Sequence, residues 1–407
     1  MVQNSRNHPT PYSKSLQYVI FLLFLLGPLT GNIINVLFGV LSSYFHVTPD
    51  NILIAIPAFM FPFAITQLFS GAISDIKGRF PVIIFGLSIF GVGMLVAATS
   101  SSLIMFLIAN ILGGFGFGFV NPVLIALMTD ITPGQDIPKK MGYLGSAANL
   151  GVAIGPILAG FIVIIGWRFL YLLFILITGI SILILIKYTN INLKRAPQRT
   201  SKDSEFRLFL SHLFQELHRF VVILMIISAF LSSQTYLAII VWTSRAFTHV
   251  IDETLAGIII GSAGIMGAST GILIGYLIIK KGVRIAILIG IISLYIGLMI
   301  LLLISDITNN NLLLFTTLGL MFIGVAGGSL IPSIMYYSQT LSKERRGALA
   351  GLATAGQFIG IALVPIIYDS TFHDKGIKMV YFTVFIISIF LIIVFSSLYT
   401  LGKRTYK

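Results

Sequence analysis

The sequence predicts an all-α membrane protein with twelve transmembrane helices in two pseudo-symmetric six-helix bundles. Three observations carry that expectation. The composition is too apolar for a soluble surface, long apolar runs alternate with polar breaks, and basic residues favour every second break. Of 407 residues, 57% are hydrophobic and 10% charged, against about 25% charged in an ordinary soluble domain. The absence of cysteine excludes disulfides and thiolate metal sites.

A helix needs about 20 apolar residues to cross the hydrocarbon core. The first run, 16–40, follows the polar MVQNSRNHPTPYSKS. It is too long for a signal-peptide core and no small-residue cleavage site follows, so it reads as a retained span. The next five are 51–74, 80–99, 102–129, 142–165 and 168–188. The last six are 220–244, 254–279, 284–304, 311–337, 347–368 and 378–402. Lys and Arg prefer cytoplasmic loops. With the N-terminus inside, 22 of the 26 Lys and Arg fall on the inner side, and Arg168, Arg245, Lys375 and Lys378 are the exceptions. The net charge of +13 is therefore read as topology rather than nucleic-acid binding. Both termini are expected in the cytoplasm, with the chain in the plasma membrane.

The longest polar stretch divides the chain into an N-terminal bundle (1–187), a cytoplasmic linker (188–219) and a C-terminal bundle (220–407). Within the linker, Phe206, Phe209, Leu210, Leu213, Phe214 and Leu217 fall at helical spacing. An amphipathic helix lying on the inner membrane face is expected there, chiefly as a connector.

GAISDIKGRF at 71–80 has a weaker echo in GYLIIKKGVR at 275–284. Gly71 matches Gly275, Lys77 matches Lys281 and Gly78 matches Gly282, an offset of 204. Each copy lies between the second and third span of its half. Duplicated helical units are a common construction of membrane transporters.

At these residues the chain resembles the major facilitator superfamily. The family's loop signature, G-x-L-x-D-x-x-G-R-R/K, is filled by Gly71, Asp75, Gly78 and Arg79, with Ile73 in place of Leu. Pro81 follows, as in many bacterial drug exporters of the family. GVAIGPILAG in the fifth span is similar to the antiporter motif G-x-x-x-G-P-x-x-x-G, through Gly151, Gly155, Pro156 and Gly160. Gly151 and Gly155 make a strip where a second helix can approach closely, and Pro156 removes a backbone hydrogen bond and is expected to kink the helix. A packing notch is the plainer reading of the same residues.

The resemblance implies a secondary transporter of the drug-exporter branch that works by alternating access. It implies roles for the loop charges too. In relatives the loop acid faces the start of the eleventh helix and stabilises the outward-facing state. Asp75 takes that place here, with Arg345 and Arg346 beside the helix start, where the dipole favours a carboxylate. Arg79 is expected to pair with Asp130 at the inner end of the fourth span, and all these contacts are expected to break when the inner gate opens. The simpler alternative is that Lys77 and Arg79 only set topology.

No Asp, Glu, Lys or Arg lies deep within a predicted span. Drug–proton antiporters of the family usually carry an acid in the first helix and an Arg in a fourth-helix R-x-x-Q-G-x-G. This chain has NILGGFG, with Asn110 in the Arg place, and Asn32 and Asn35 where an acid would stand. Replacing both partners avoids a stranded buried charge. It also leaves open whether protons are coupled. Neutral or amphiphilic small molecules fit such a core best. Asn32, Asn35, Asn110, Gln234 and Tyr236 are the candidate cavity residues, since an unpaired amide in an apolar helix is costly.

The expected partners are a small-molecule substrate and the lipid bilayer, for a monomer without metal, cofactor or nucleic acid. Two further readings stay open, an uptake permease for a neutral solute such as a sugar and a transport-inactive sensor. An enzyme is disfavoured, because no HExxH or P-loop occurs and the G-x-S-x-G at Gly267–Gly271 falls inside the apolar run 254–279.

Overall fold

A computed structural model describes residues 12–132, 136–189, 211, 214–304, 310–341 and 346–405. Every regular element in it is helical. The first half holds α1 (Tyr12–Phe45), a short α2 (Pro49–Leu53), α3 (Ala55–Lys77), α4 (Arg79–Thr99), α5 (Leu103–Ile131), α6 (Ile137–Ile162) and α7 (Arg168–Ile186). The second holds α8 (Phe220–Phe247), α9 (Glu253–Lys281), α10 (Val283–Leu303), α11 (Asn310–Thr340) and α12 (Arg346–Thr405). Eleven apolar runs among the described residues are long enough to cross a membrane.

The last run, Ala348–Leu398, has 51 residues. A straight helix of that length would reach about 75 Å, more than twice the ~30 Å hydrocarbon core. Gly376, with φ 74 and ψ −178, breaks it, so it supplies both the eleventh and the twelfth span. The expected loop at 369–377 is thereby corrected. The chain stays helical up to Gly376, and only that residue leaves helical geometry.

Backbone turns fix the alternation of direction. Gly78 (φ 97) joins α3 to α4, and Gly282 (φ 83) joins α9 to α10. Both are conformations open to glycine and strained for other residues. Their amides bond back to Ser74 and Ile278 at 2.9 and 3.0 Å. One end of the bundle thus carries Asp75 and both of these turns. The opposite end carries Asp50 and the Gly376 break.

Between lipid-facing helices there is no hydrophobic driving force, so close backbone packing holds them together. The glycines of α5 show this on two faces. Gly114 lies against the Phe59 carbonyl of α3, while Gly116 lies against Gly86 and Phe90 of α4. The second half repeats the pattern, with Gly324 of α11 against the Ala263 carbonyl of α9. Phe59 and Ala263 stand 204 positions apart, Gly114 and Gly324 stand 210 apart. Likewise Gly86 packs on Val120, and Gly290 on Leu330. The duplication heard faintly at 71–80 therefore extends through the helix packing of both halves.

The halves meet along two seams, α6 with α9 and α3 with α12. Most of the expected linker helix, including Phe206, Phe209, Leu210 and Leu213, lies outside the described residues. Residues 214–217 are helical, and Glu216 is buried there with Arg219 at 2.7 Å.

A Gly114→Leu substitution should separate α5 from α3 and cost stability on the scale of core overpacking, about 1–3 kcal/mol. Thermal unfolding in detergent should show a lowered midpoint. Gly142→Ala, where a Cβ meets nothing within 4 Å, should leave the midpoint unchanged or raise it.

Candidate functional site

At the Asp75 end, the Gly78 turn puts the last turn of α3 beside the first turn of α4. Arg79 is the centre of the resulting cluster. Its Nε donates to Asp130 at the end of α5 at 2.9 Å, and its Nη1 to the Ser74 hydroxyl at 2.6 Å. Arg79 also pairs with Asp75 one turn earlier. One half-buried guanidinium therefore ties α3, α4 and α5 together. Arg345 lies outside the described residues, and so does the side chain of Arg346. Gly71, half-buried on α3, has nothing within 4 Å of where a Cβ would stand.

The fifth-span motif is divided between two partners. Gly151 and Gly155 pack against the α1 backbone at Leu25 and Leu29. Farther along, Pro156 and Gly160 face α9: the Pro156 carbonyl lies against Gly257, and Thr254 donates to the Gly160 carbonyl at 3.0 Å. Helix α6 is a wedge with one side on its own half and the other on the opposite half. It runs as one continuous helix through Pro156.

The predicted amides are buried or half-buried, and most turn to their own helices. Asn32 donates to the Pro28 carbonyl at 2.7 Å, and Asn110 to that of Phe106 at 2.8 Å. Asn110 also lines a small crevice inside the first half with Thr30 and Tyr171. Asn35 donates to Asn32 at 3.3 Å, and its backbone carbonyl accepts from Ser244 of α8 across the two halves. Tyr236 lies over Gly327 of α11. Both amide atoms of Gln234 are buried without a hydrogen-bond partner among the described residues, as are those of Gln67. Gln67 on α3 and Gln357 on α12 sit on helices of one inter-half seam.

A second charged cluster, at the opposite end, was missed as a site. Arg245 at the end of α8 grips both oxygens of Asp50 with one edge of its guanidinium, Nε donating to Oδ1 at 2.8 Å and Nη2 to Oδ2 at 2.9 Å. The guanidinium also lies 5.5 Å from the Phe372 ring of α12, which packs on Trp242. His373 stands 3.5 Å from Asp50 and 3.6 Å from Asp369. Asp50, Asp369 and His373 bring ligand-type atoms within 4.8 Å of one another, but both Asp50 oxygens are committed to Arg245, whose charge opposes a cation. The signal was present in the sequence, since Arg245 is one of the four basic residues off the charge pattern. Arg168, another of the four, donates to the Ala98 and Ser100 carbonyls at 2.9 and 3.0 Å.

The cluster, the wedge and the duplicated packing coincide with a known family. Residues 20–365, and with an overlapping match 223–406, fit the Major Facilitator Superfamily profile. The chain belongs to the Major Facilitator Superfamily. Among its curated relatives is multidrug resistance protein 2 of Bacillus subtilis, 26% identical over 340 residues, covering 81% of this chain and 82% of that protein. Quinolone resistance protein NorA of Staphylococcus aureus is 29% identical over 153 residues, 38% of each chain. Two solved structures share the fold. The human organic anion transporter MFSD10 aligns over 95% of this chain and 100% of its own, at TM-score 0.70 and 18% identity. A D-xylose–proton symporter aligns over 94% and 97%, at TM-score 0.76 and 15% identity. For a superfamily member, the Asp50–Arg245 clamp bridges the two halves at one end of the bundle.

A partly exposed pair of this kind contributes up to about 1 kcal/mol, roughly a fivefold bias between arrangements. Asp50→Asn or Arg245→Gln should raise thiol labelling of a cysteine placed at Ser244 by about that factor. The exchanged pair, Asp50→Arg with Arg245→Asp, should restore slow labelling.

Proposed function

We propose that the chain exports neutral or amphiphilic small molecules across the plasma membrane by alternating access, with both termini in the cytoplasm. The single observation behind this reading is a contrast along the helices that join the halves. Toward the Asp50 end, Gly160, Gly257, Gly261 and Gly264 of α6 and α9 are packed against the opposite half. Toward the Asp75 end, Gly71 on α3, Gly142 and Gly145 on α6, Gly275 on α9 and Gly351 on α12 meet nothing within 4 Å. Small residues suited to close approach are thus in use at one end and spare at the other. A second arrangement, sealed at the Asp75 end and parted at the Asp50 end, gives them a role.

The basic-residue bias assigns the Asp75 end to the cytoplasm, so the arrangement described here faces inward. On this reading Asp75, Arg79 and Asp130, with Gly71 and Gly78, form a latch whose partner surface is the start of α12 at Arg345 and Arg346. Gly151, Gly155, Pro156 and Gly160 form the sliding wedge. Asn32, Asn35, Asn110, Gln234 and Tyr236 line the passage, and unpartnered buried amides such as Gln234 supply the polar contacts a neutral solute needs. The multidrug-resistance names of the curated relatives favour export. Uptake of a neutral solute is the alternative, because the same uncharged core suits it.

Reconstitution into liposomes tests both direction and coupling. Dye or drug flux should persist without an imposed pH gradient, directed outward from the face bearing the termini. Flux that vanishes without the gradient would refute the uncharged-core account.

Gly71→Leu separates moving glycines from packing glycines. Because its side chain has room in this arrangement, the thermal midpoint should stay within a few degrees of wild type. Flux should nonetheless fall by about tenfold or more, since closure at that end would cost on the order of an overpacked contact.

A further inference from the structure

We propose that a cavity at the Asp75 end, between α1, α6 and α9, binds the anionic head of an amphiphile, with Lys140 as its counter-charge. The cavity has a volume of about 520 Å³, within the usual range of small-molecule sites. Gln17, Tyr18 and Phe21 line it from α1, Lys140 and Tyr143 from α6, and Ile272 from α9. The Lys140 ammonium donates to the Gln17 side-chain carbonyl at 2.6 Å. It lies 5.9 Å from the Phe21 ring centre and 5.7 Å from that of Tyr143. No carboxylate pairs with it among the described residues. An ammonium carries three donors, and Gln17 takes one. The aromatic faces attract the cation but accept no full charge, so an anion is the group that completes its coordination.

The rest of the wall fixes the remaining chemistry of the ligand. Tyr18, Tyr143 and Ile272 are exposed and largely apolar, and they line the cavity beside the ammonium. A small hydrophilic anion would leave that wall unused. A neutral amphiphile would leave the ammonium uncompensated. The fitting class is a molecule with a phosphate or carboxylate head and an apolar tail, either a membrane lipid or a free amphiphile. Ile272 belongs to the second half while every other named residue belongs to the first. The site is therefore shared between halves, and an occupant favours the arrangement described here. None of this depends on the direction or coupling of transport.

The test uses the full chain in phosphatidylcholine nanodiscs and three probes: phosphatidylglycerol, dodecyl phosphate and inorganic phosphate. Native mass spectrometry reads lipid occupancy, and calorimetry reads the two soluble probes. Lys140→Gln should weaken phosphatidylglycerol or dodecyl phosphate by about tenfold, the scale of one charge-assisted contact. Lys140→Arg should keep most of the affinity, and Lys281→Gln should not change it. Should Lys140→Gln fail to fold, Ser146→Glu brings a competing carboxylate to the same wall and should give the same loss. A Lys140-dependent response to phosphatidylglycerol alone identifies a lipid site, and to dodecyl phosphate alone a free-amphiphile site. Equal affinities in wild type and both charge variants overturn the proposal. So does inorganic phosphate binding as tightly as dodecyl phosphate.

Discussion

Close backbone approach at glycine is the constraint on which the rest of this structure depends. In a hydrocarbon solvent, apolar side chains gain little by leaving lipid for protein, so helices adhere where small residues let their backbones touch. Gly114 on Phe59 and Gly324 on Ala263 build the two halves in the same way. Gly257 on Pro156 then joins the halves to each other. Every charged contact described above is secondary to that frame. Arg79 can reach Asp75, Ser74 and Asp130 because the Gly78 turn and the α5 packing have already brought them together.

The distribution of charge follows from the same solvent. Ionised groups are expensive inside a bilayer, and here they gather at the two ends, one cluster around Arg79 and one around Arg245. The first ties together three helices of one half. The second bridges the halves, and its guanidinium satisfies both oxygens of Asp50. Between them lie neutral polar groups, several of them, such as Gln67 and Gln234, buried without a hydrogen-bond partner among the described residues. Lys140 stands apart from both clusters, paired with an amide and two rings in place of an acid.

Much of the fold was legible because hydropathy and charge bias are long-range signals. Every predicted span has a helix. The Arg79–Asp130 contact is present, but it joins two helices of the same half, so parting of the halves does not require it to break. The repeat was audible at only ten residues, since Gly86 and Gly290 or Gly93 and Gly297 preserve geometry without preserving their neighbours in sequence. The break near 376 was placed as a loop because Asp369, His373 and Asp374 look like loop residues, whereas one positive φ at Gly376 suffices. The Asp50–Arg245 clamp joins residues 195 positions apart; the charge bias marks Arg245 as an exception, but nothing near it in sequence names Asp50 as its partner. The amides were correctly seen as confined to apolar helices. Which of them turn inward is decided by rotamers: Asn32 and Asn110 satisfy themselves on their own helix, while Gln234 does not.

The central claim is that two packed halves seal one end of the bundle at a time. The natural absence of cysteine allows paired spin labels to be placed without altering the background. One pair, at Thr48 and Val250, spans the halves at the Asp50 end, and another, at Lys77 and Lys281, spans them at the Asp75 end. Double electron–electron resonance in nanodiscs, with and without a transported drug, measures both separations. The account predicts opposed changes, the first distance lengthening in the population whose second distance shortens. Two distances that stay fixed, or that lengthen together, would contradict it.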